Sequence, residues 1–267
     1  MKIADSHAHI FPLPLAEKAT QSISHFYEIP MTNVASSEVL LQCEKEAGIE
    51  VTLVCNSAVT ASQVPSINRF IAQECAEHPQ FIGLGSVFPG MEGWEEELDI
   101  ICAMNLRGIK IHSDFQKVDI DDPAAIALYR ECAKRGLVIL FHMGDDRYDY
   151  SHPNRLLNLK RQVPDLTVIA AHFGGYHAWD AAMDIPVLDG IYYDTSSTLM
   201  FIDPDKAKAI MDKFGPKRFL FGTDFPMWTP KTEVERFENF PLGLSQSEKE
   251  DIYYNNFAKL FHLEDAK

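Results

Sequence analysis

Short runs of Val, Ile, Leu and Phe punctuate the chain, separated by longer stretches in which apolar residues return with a helical period. Eight runs start near Ile3, Val51, Phe81, Arg107, Leu137, Leu166, Gly190 and Arg218. Each is as long as a buried strand. After the first interval they recur every 24–30 residues or so, the spacing of strand–loop–helix units. The intervening segments carry helix punctuation. Ser36 opens and Gly48 closes one, Asp122-Pro123 opens and Gly136 closes another, and Gly93–Met104 has acids in its first turns. A last amphipathic helix is predicted from Ser245 to Leu263, starting Ser-x-x-Glu.

Near-continuous apolar strands alternating with helices imply a parallel sheet covered on both faces. Eight such units close naturally into a (β/α)8 TIM barrel, here with a C-terminal helical extension. The competitor is an open doubly wound sheet, which in its dinucleotide-binding form needs a glycine-rich loop after the first strand. Here that strand runs into Ile10-Phe-Pro-Leu-Pro, with no glycine. Length agrees with one domain over residues 1–267. Residues 11–35, with Pro12, Pro14 and Pro30, do not read as regular helix. They are expected to form a rim loop, either a lid over the active site or a segment that only packs.

Composition narrows the function. Apolar residues at 46% and charged residues at 24% exclude a disordered chain. The formal charge of −15 opposes a nucleic-acid partner or a polybasic membrane anchor, and leaves a small-molecule substrate. The five cysteines include no C-x-x-C pair, so reduced thiols are expected rather than disulfides or a zinc knuckle. With no signal-peptide pattern or long apolar run, a cytoplasmic enzyme is expected, a homodimer by default.

Chemistry in a barrel sits where strands end at the C-terminal face. The predicted strands end in His7-Ala-His9, Lys110-Ile-His112, His142, His172, Asp194 with Thr195 and Ser196 beyond it, and Asp224. Folding alone does not ask for histidines, a lysine and aspartates at these places. His7 and His9 lie two apart on a strand and share a face, so one divalent metal can take a nitrogen from each. A shared site for His7, His9, His142, His172 and Asp224 follows. Asp5 either orients a ligand histidine or is a satisfied buried carboxylate. Lys110 is costly on an apolar strand unless paired. It can grip a substrate carboxylate, bridge two metals as a carbamate, or pair with a neighbouring acid. His112 lies two residues on, on the same face. In the loop 144–153, Arg147 can hold a carboxylate or pair with Asp145 or Asp149, while Tyr148 and Tyr150 can pack on a ring. His152 and His177 read as helix-start or surface residues.

The ordered motifs Asp5-Ser-His-Ala-His9, Gly108-Ile-Lys-Ile-His112, His142-Met-Gly, Ala171-His-Phe-Gly-Gly175 and Phe221-Gly-Thr-Asp-Phe-Pro226 resemble the amidohydrolase superfamily. The similarity is to its amidohydrolase 2 branch of decarboxylases and lactone hydrolases, and it covers nearly the whole chain. It implies His7, His9, His142 and Asp224 as metal ligands, and His172 as the group that polarises substrate or moves a proton. By the same resemblance Lys110 matches the strand-four position that is carbamylated in some two-metal members; from the residues themselves Lys110, His112 and Arg147 are expected near substrate. Lys110 also argues against the related deoxyribonucleases, which carry a glutamate on that strand. The expected cofactor is one divalent ion, zinc by donor type with manganese or iron as alternatives, or two ions if Lys110 is carbamylated. The expected activity is hydrolysis of a small carboxylated amide or lactone, with Asp224 as general base for metal-activated water. Non-oxidative decarboxylation on the same fold is the enzymatic alternative. A non-catalytic metal-binding barrel is the alternative from another class.

Overall fold

The computed structural model describes residues 1–263. Eight strands follow one another: β1 (Ala4–His9), β2 (Val51–Cys55), β3 (Phe81–Gly83), β4 (Gly108–Ile111), β5 (Val138–Phe141), β6 (Val168–Ala170), β7 (Ile191–Asp194) and β8 (Phe219–Leu220). Each falls within a run that the apolar pattern marks. The chain separates into two compact units. The first holds Met1–Cys55, Glu74–Ile82 and the chain from Thr195 on; the second holds Asn56–Gln73 and Gly83–Asp194.

In the first unit β1 pairs in parallel with β2, Ala4 opposite Val51 and His9 opposite Cys55, with a register shift between Asp5 and Ala8. The other edge of β1 binds the segment that follows β8. Ser6 N–H donates to Phe221 O at 2.8 Å, Asp224 N–H to His7 O at 2.8 Å and His9 N–H to Phe225 O at 2.7 Å. His7 and Asp224 are thus tied together through the backbone before their side chains meet. The C-terminal helix braces this segment. Its Ser245 N-cap and Glu248 form the expected capping box. Phe221 N–H donates to Ile252 O at 2.9 Å, and the Phe221 and Tyr253 rings lie 5.1 Å apart.

In the second unit β4, β5, β6 and β7 form a parallel array in chain order, with Lys110 opposite Leu140 and Leu140 opposite Ile169. The segment after β3 joins its edge: Gly85 N–H donates to Gly108 O at 2.9 Å and Lys110 N–H to Gly85 O at 2.8 Å. Ile109, Ile139, Phe141, Val168 and Ile169 are fully buried, as parallel strands covered on both faces require.

The helix punctuation holds. Ser36 caps Ser37–Ala47 by accepting from Val39 N–H, and Gly48 ends it in the left-handed conformation. Asp122 caps Pro123–Lys134 by accepting from Ala124 N–H. Residues 11–35 depart from expectation, because Leu13–Tyr27 is a fifteen-residue helix. Its prolines sit at the N-cap and in the first turn, where the missing N–H has no intrahelical partner to lose. Among the described residues no helix is long and apolar enough to cross a membrane.

Candidate metal centre

Each unit holds its own cluster of candidate residues. In the first unit, His7 Nε2 lies 3.2 Å from His9 Nε2, and Asp224 Oδ1 lies 3.6 Å from the former and 3.4 Å from the latter. Two imidazole nitrogens and a carboxylate oxygen thus form a near-equilateral triangle. A tetrahedral ion bound at about 2.1 Å separates its ligand atoms by about 3.4 Å. The triangle has the size that a divalent cation needs, and its donors suit zinc, manganese or iron.

The groups behind the triangle set its chemistry. His9 Nδ1 lies 3.3 Å from Cys55 O. A carbonyl only accepts, so Nδ1 carries the proton and the Nε2 lone pair faces His7 and Asp224. His7 Nδ1 is 3.1 Å from Ser196 Oγ. The Asp224 Oδ2 atom accepts from Ser197 Oγ at 2.5 Å. Asp5 accepts from the N–H groups of His7 at 3.0 Å and Thr223 at 2.9 Å, and from Thr223 Oγ1 at 2.5 Å. It is a satisfied buried carboxylate that also fixes the His7 backbone.

In the second unit, β5 delivers His142 and β6 is followed by His172. His172 Nε2 lies 3.1 Å from His142 Nδ1. His172 has φ +61°, an uncommon conformation for a residue with a side chain. Two buried groups hold it: Asp194 Oδ1 accepts its N–H at 2.9 Å and Trp179 Nε1 donates to its carbonyl at 3.0 Å. His142 Nε2 is 3.6 Å from Asp114 Oδ2, which accepts from Ser151 Oγ at 2.6 Å. Burial pushes the Asp114 carboxyl up to about 6, against the Ser151 hydrogen bond. The His112 ring stacks on His142 at 4.1 Å with 6° between the planes. His112, Asp114 and His142 offer three donor atoms within 4.8 Å of one another. The parallel rings do not aim their lone pairs at a common point, so the trio is a poor cation cage.

Lys110 is fully buried on β4. Arg147 is taken up by Asp145, with Nε at 2.8 Å from Oδ1 and Nη2 at 2.7 Å from Oδ2. This is the pairing that the sequence admits beside a substrate role. His152 caps the helix Pro153–Gln162, its Nδ1 accepting from Asn154 N–H. Asp114 and Ser197 escape the sequence reading. Asp114 follows Lys110 and His112 by steps of two, but lies past the strand's end in a short helix. Ser197 is one of several hydroxyl residues in Asp194-Thr-Ser-Ser-Thr198 and has no signature of its own.

The amidohydrolase family model, of the amidohydrolase 2 branch, matches residues 4–263. The chain belongs to this family. It is 26% identical over 243 residues to a 2-amino-3-carboxymuconate-6-semialdehyde decarboxylase of Dictyostelium discoideum, a match that spans 75% of this chain and 67% of that one. An uncharacterised TIM-barrel protein of Bordetella bronchiseptica superposes with a TM-score of 0.79 at 19% identity, over 98% of this chain and 99% of that one. A dihydroxybenzoic acid decarboxylase of Polaromonas, solved with manganese and the inhibitor 2-nitroresorcinol, gives 0.75 at 14% identity over 98% and 97%. The chain has the TIM-barrel fold, and the open doubly wound alternative falls away.

Proposed function

We propose that the protein is a metal-dependent non-oxidative decarboxylase of a small, unsaturated or aromatic carboxylic acid. The observation that carries the metal reading is the triangle of His7 Nε2, His9 Nε2 and Asp224 Oδ1 at 3.2–3.6 Å. The family pattern adds His142 from the end of β5. The reaction is the one named for the Dictyostelium relative and the Polaromonas enzyme. They favour decarboxylation over the hydrolysis of an amide or lactone that the ligand types alone suggest.

A divalent ion held by His7, His9 and Asp224 would supply positive charge, which lowers the cost of negative charge developing on a substrate. The residues do the rest. Lys110, buried on β4, offers an ammonium for a substrate carboxylate, and the attraction between such opposite charges is strongest where water is excluded. His172, held by Asp194 and Trp179, supplies a proton to the carbon as the bond to the carboxylate breaks. Carbon dioxide leaves without the bonding pair, and the proton takes its place, so no redox partner is needed. Asp224, with Oδ2 tied to Ser197, turns its other oxygen to the ligand triangle.

The test is product analysis on a panel of hydroxybenzoates and carboxylated muconate derivatives. Carbon dioxide released in a one-to-one ratio with substrate consumed is expected. Ring opening of a lactone or amine release without carbon dioxide overturns decarboxylation and restores the hydrolase.

A further inference from the structure

Asp224 does two things in the first unit: one carboxylate oxygen faces the imidazole pair, and the other is engaged behind it. Ser197 Oγ lies 2.5 Å from Asp224 Oδ2, and Trp228 Nε1 lies 3.1 Å from the same Ser197 Oγ. The direction of this chain is fixed by its chemistry. An indole N–H only donates, and an ionised carboxylate only accepts. Ser197 must therefore accept from Trp228 and give its single proton to Asp224. The Met227 sulfur, 3.2 Å from the hydroxyl, is a weak acceptor that a carboxylate outcompetes.

Both ends of the relay are anchored. Ser197 is buried at φ +46° and Asp224 at φ +58°, conformations that side-chain-bearing residues seldom adopt without compensation. The Trp228 indole lies edge-on to Phe201, centroids 6.2 Å apart, with the Arg236 guanidinium 5.1 Å from its ring. Ser197 neighbours Ser196, whose hydroxyl meets His7 Nδ1.

We infer that Ser197 and Trp228 are positioning residues for the metal centre: Trp228 orients the Ser197 hydroxyl, which holds the Asp224 carboxylate with Oδ1 turned to His7 and His9. The inference rests on the proposed metal reading and adds the device that sets one ligand's geometry. Neither residue belongs to the imidazole–carboxylate triangle; both act through Asp224. Partners placed in this way behind a ligand typically change metal affinity by about 10–100-fold when removed.

The experiment measures Co2+ affinity of the full-length protein by competition with a chromophoric chelator, together with the visible spectrum of the bound ion. Ser197→Gly deletes the hydroxyl while suiting the left-handed backbone; the strain relieved offsets part of the cost of leaving Trp228 Nε1 and Asp224 Oδ2 without that partner, so the metal-free variant is expected to melt close to the wild type. Its Co2+ affinity should fall about 10–100-fold, with a changed band pattern. Trp228→Phe keeps a ring against Phe201 and removes the N–H together with part of the indole's volume; a smaller loss in the same direction is expected, and this variant decides alone if Ser197→Gly does not fold. Wild-type affinity and spectrum in the variants overturn the relay while the metal centre stands. Wild-type protein that takes up no Co2+ overturns the metal reading, and the relay's role with it.

Discussion

Asp194 accepts the backbone N–H of His172 at 2.9 Å, so the last residue of β7 holds a histidine in the left-handed region at φ +61°. A conformation of this kind costs about 1–3 kcal/mol and persists where its surroundings enforce it. Replacing Asp194 by Ala leaves a buried N–H without that acceptor, a loss of about 1–3 kcal/mol. Asp194→Ala is expected to lower the urea midpoint and to cut turnover at least tenfold. Asp194→Asn, which keeps an acceptor oxygen, is expected to recover most of the stability. Equal stability of wild type and Asp194→Ala in urea unfolding would count against this clamp.

Glu44 carries a pH dependence. It is buried beside Thr52, which donates to it, and burial pushes its carboxyl up to about 8. The folded-state value lies above the unfolded one of 4.5, so the stability it confers is complete below 4.5 and is lost as pH rises through 8. The span corresponds to an upper limit on the order of a few kcal/mol. Glu44→Gln removes the ionisation and keeps the shape. The variant is expected to gain stability over the wild type progressively between pH 5 and pH 9, and thermal melts across that range check it. A wild-type-minus-variant difference that is flat with pH contradicts the assignment.

Metal removal tests the centre itself. Protein purified without chelators should hold about one equivalent of a divalent ion by elemental analysis, by the cage of three or four protein ligands. At a hundredfold excess over its dissociation constant an ion stabilises by about 2.7 kcal/mol, so chelation should lower the melting temperature and readdition restore it. His7→Ala and His9→Ala should each abolish the shift. An unchanged melt after metal loss has been verified rules out a stabilising ion.

A backbone prediction concerns Gly108, which opens Gly108-Ile-Lys-Ile111. A Cβ built there would sit 1.9 Å from the carbonyl oxygen of Val138. The obstacle is backbone of the paired strand, which cannot step aside as a flexible side chain would. Gly108→Ala is expected to destabilise by about 1–3 kcal/mol or more. Urea unfolding measures it, and a variant as stable as the wild type would show that β4 and β5 can part at this end. The position matters because Lys110 follows two residues later on β4.

The strands were legible because burial on both faces demands a continuous apolar run, and such runs stand out between amphipathic helices. The histidines of the candidate site were legible for another reason: an imidazole just past Phe141 or two residues past Ala170 has no packing rationale. The helix Leu13–Tyr27 was not, because three prolines suggest irregular chain until one sees that Pro12 and Pro14 open a helix and Pro30 lies past its end. Ser197 and Asp114 were hidden more deeply. A serine in a run of hydroxyl residues, or an aspartate in a short helix, gains its role only from what tertiary structure brings against it. Arg147 lay between the two, since a carboxylate two residues away competes with any substrate for the same guanidinium.

His172, Ser197 and Asp224 share a left-handed backbone. A screen for heat-resistant variants would therefore find easy gains at these positions, where glycine relaxes the chain. Those gains should come as inactive proteins, since each substitution also deletes the side chain for which the conformation is tolerated. Directed evolution of this scaffold does better to seek robustness elsewhere, for instance at Glu44, and to leave the three uncomfortable residues as they are.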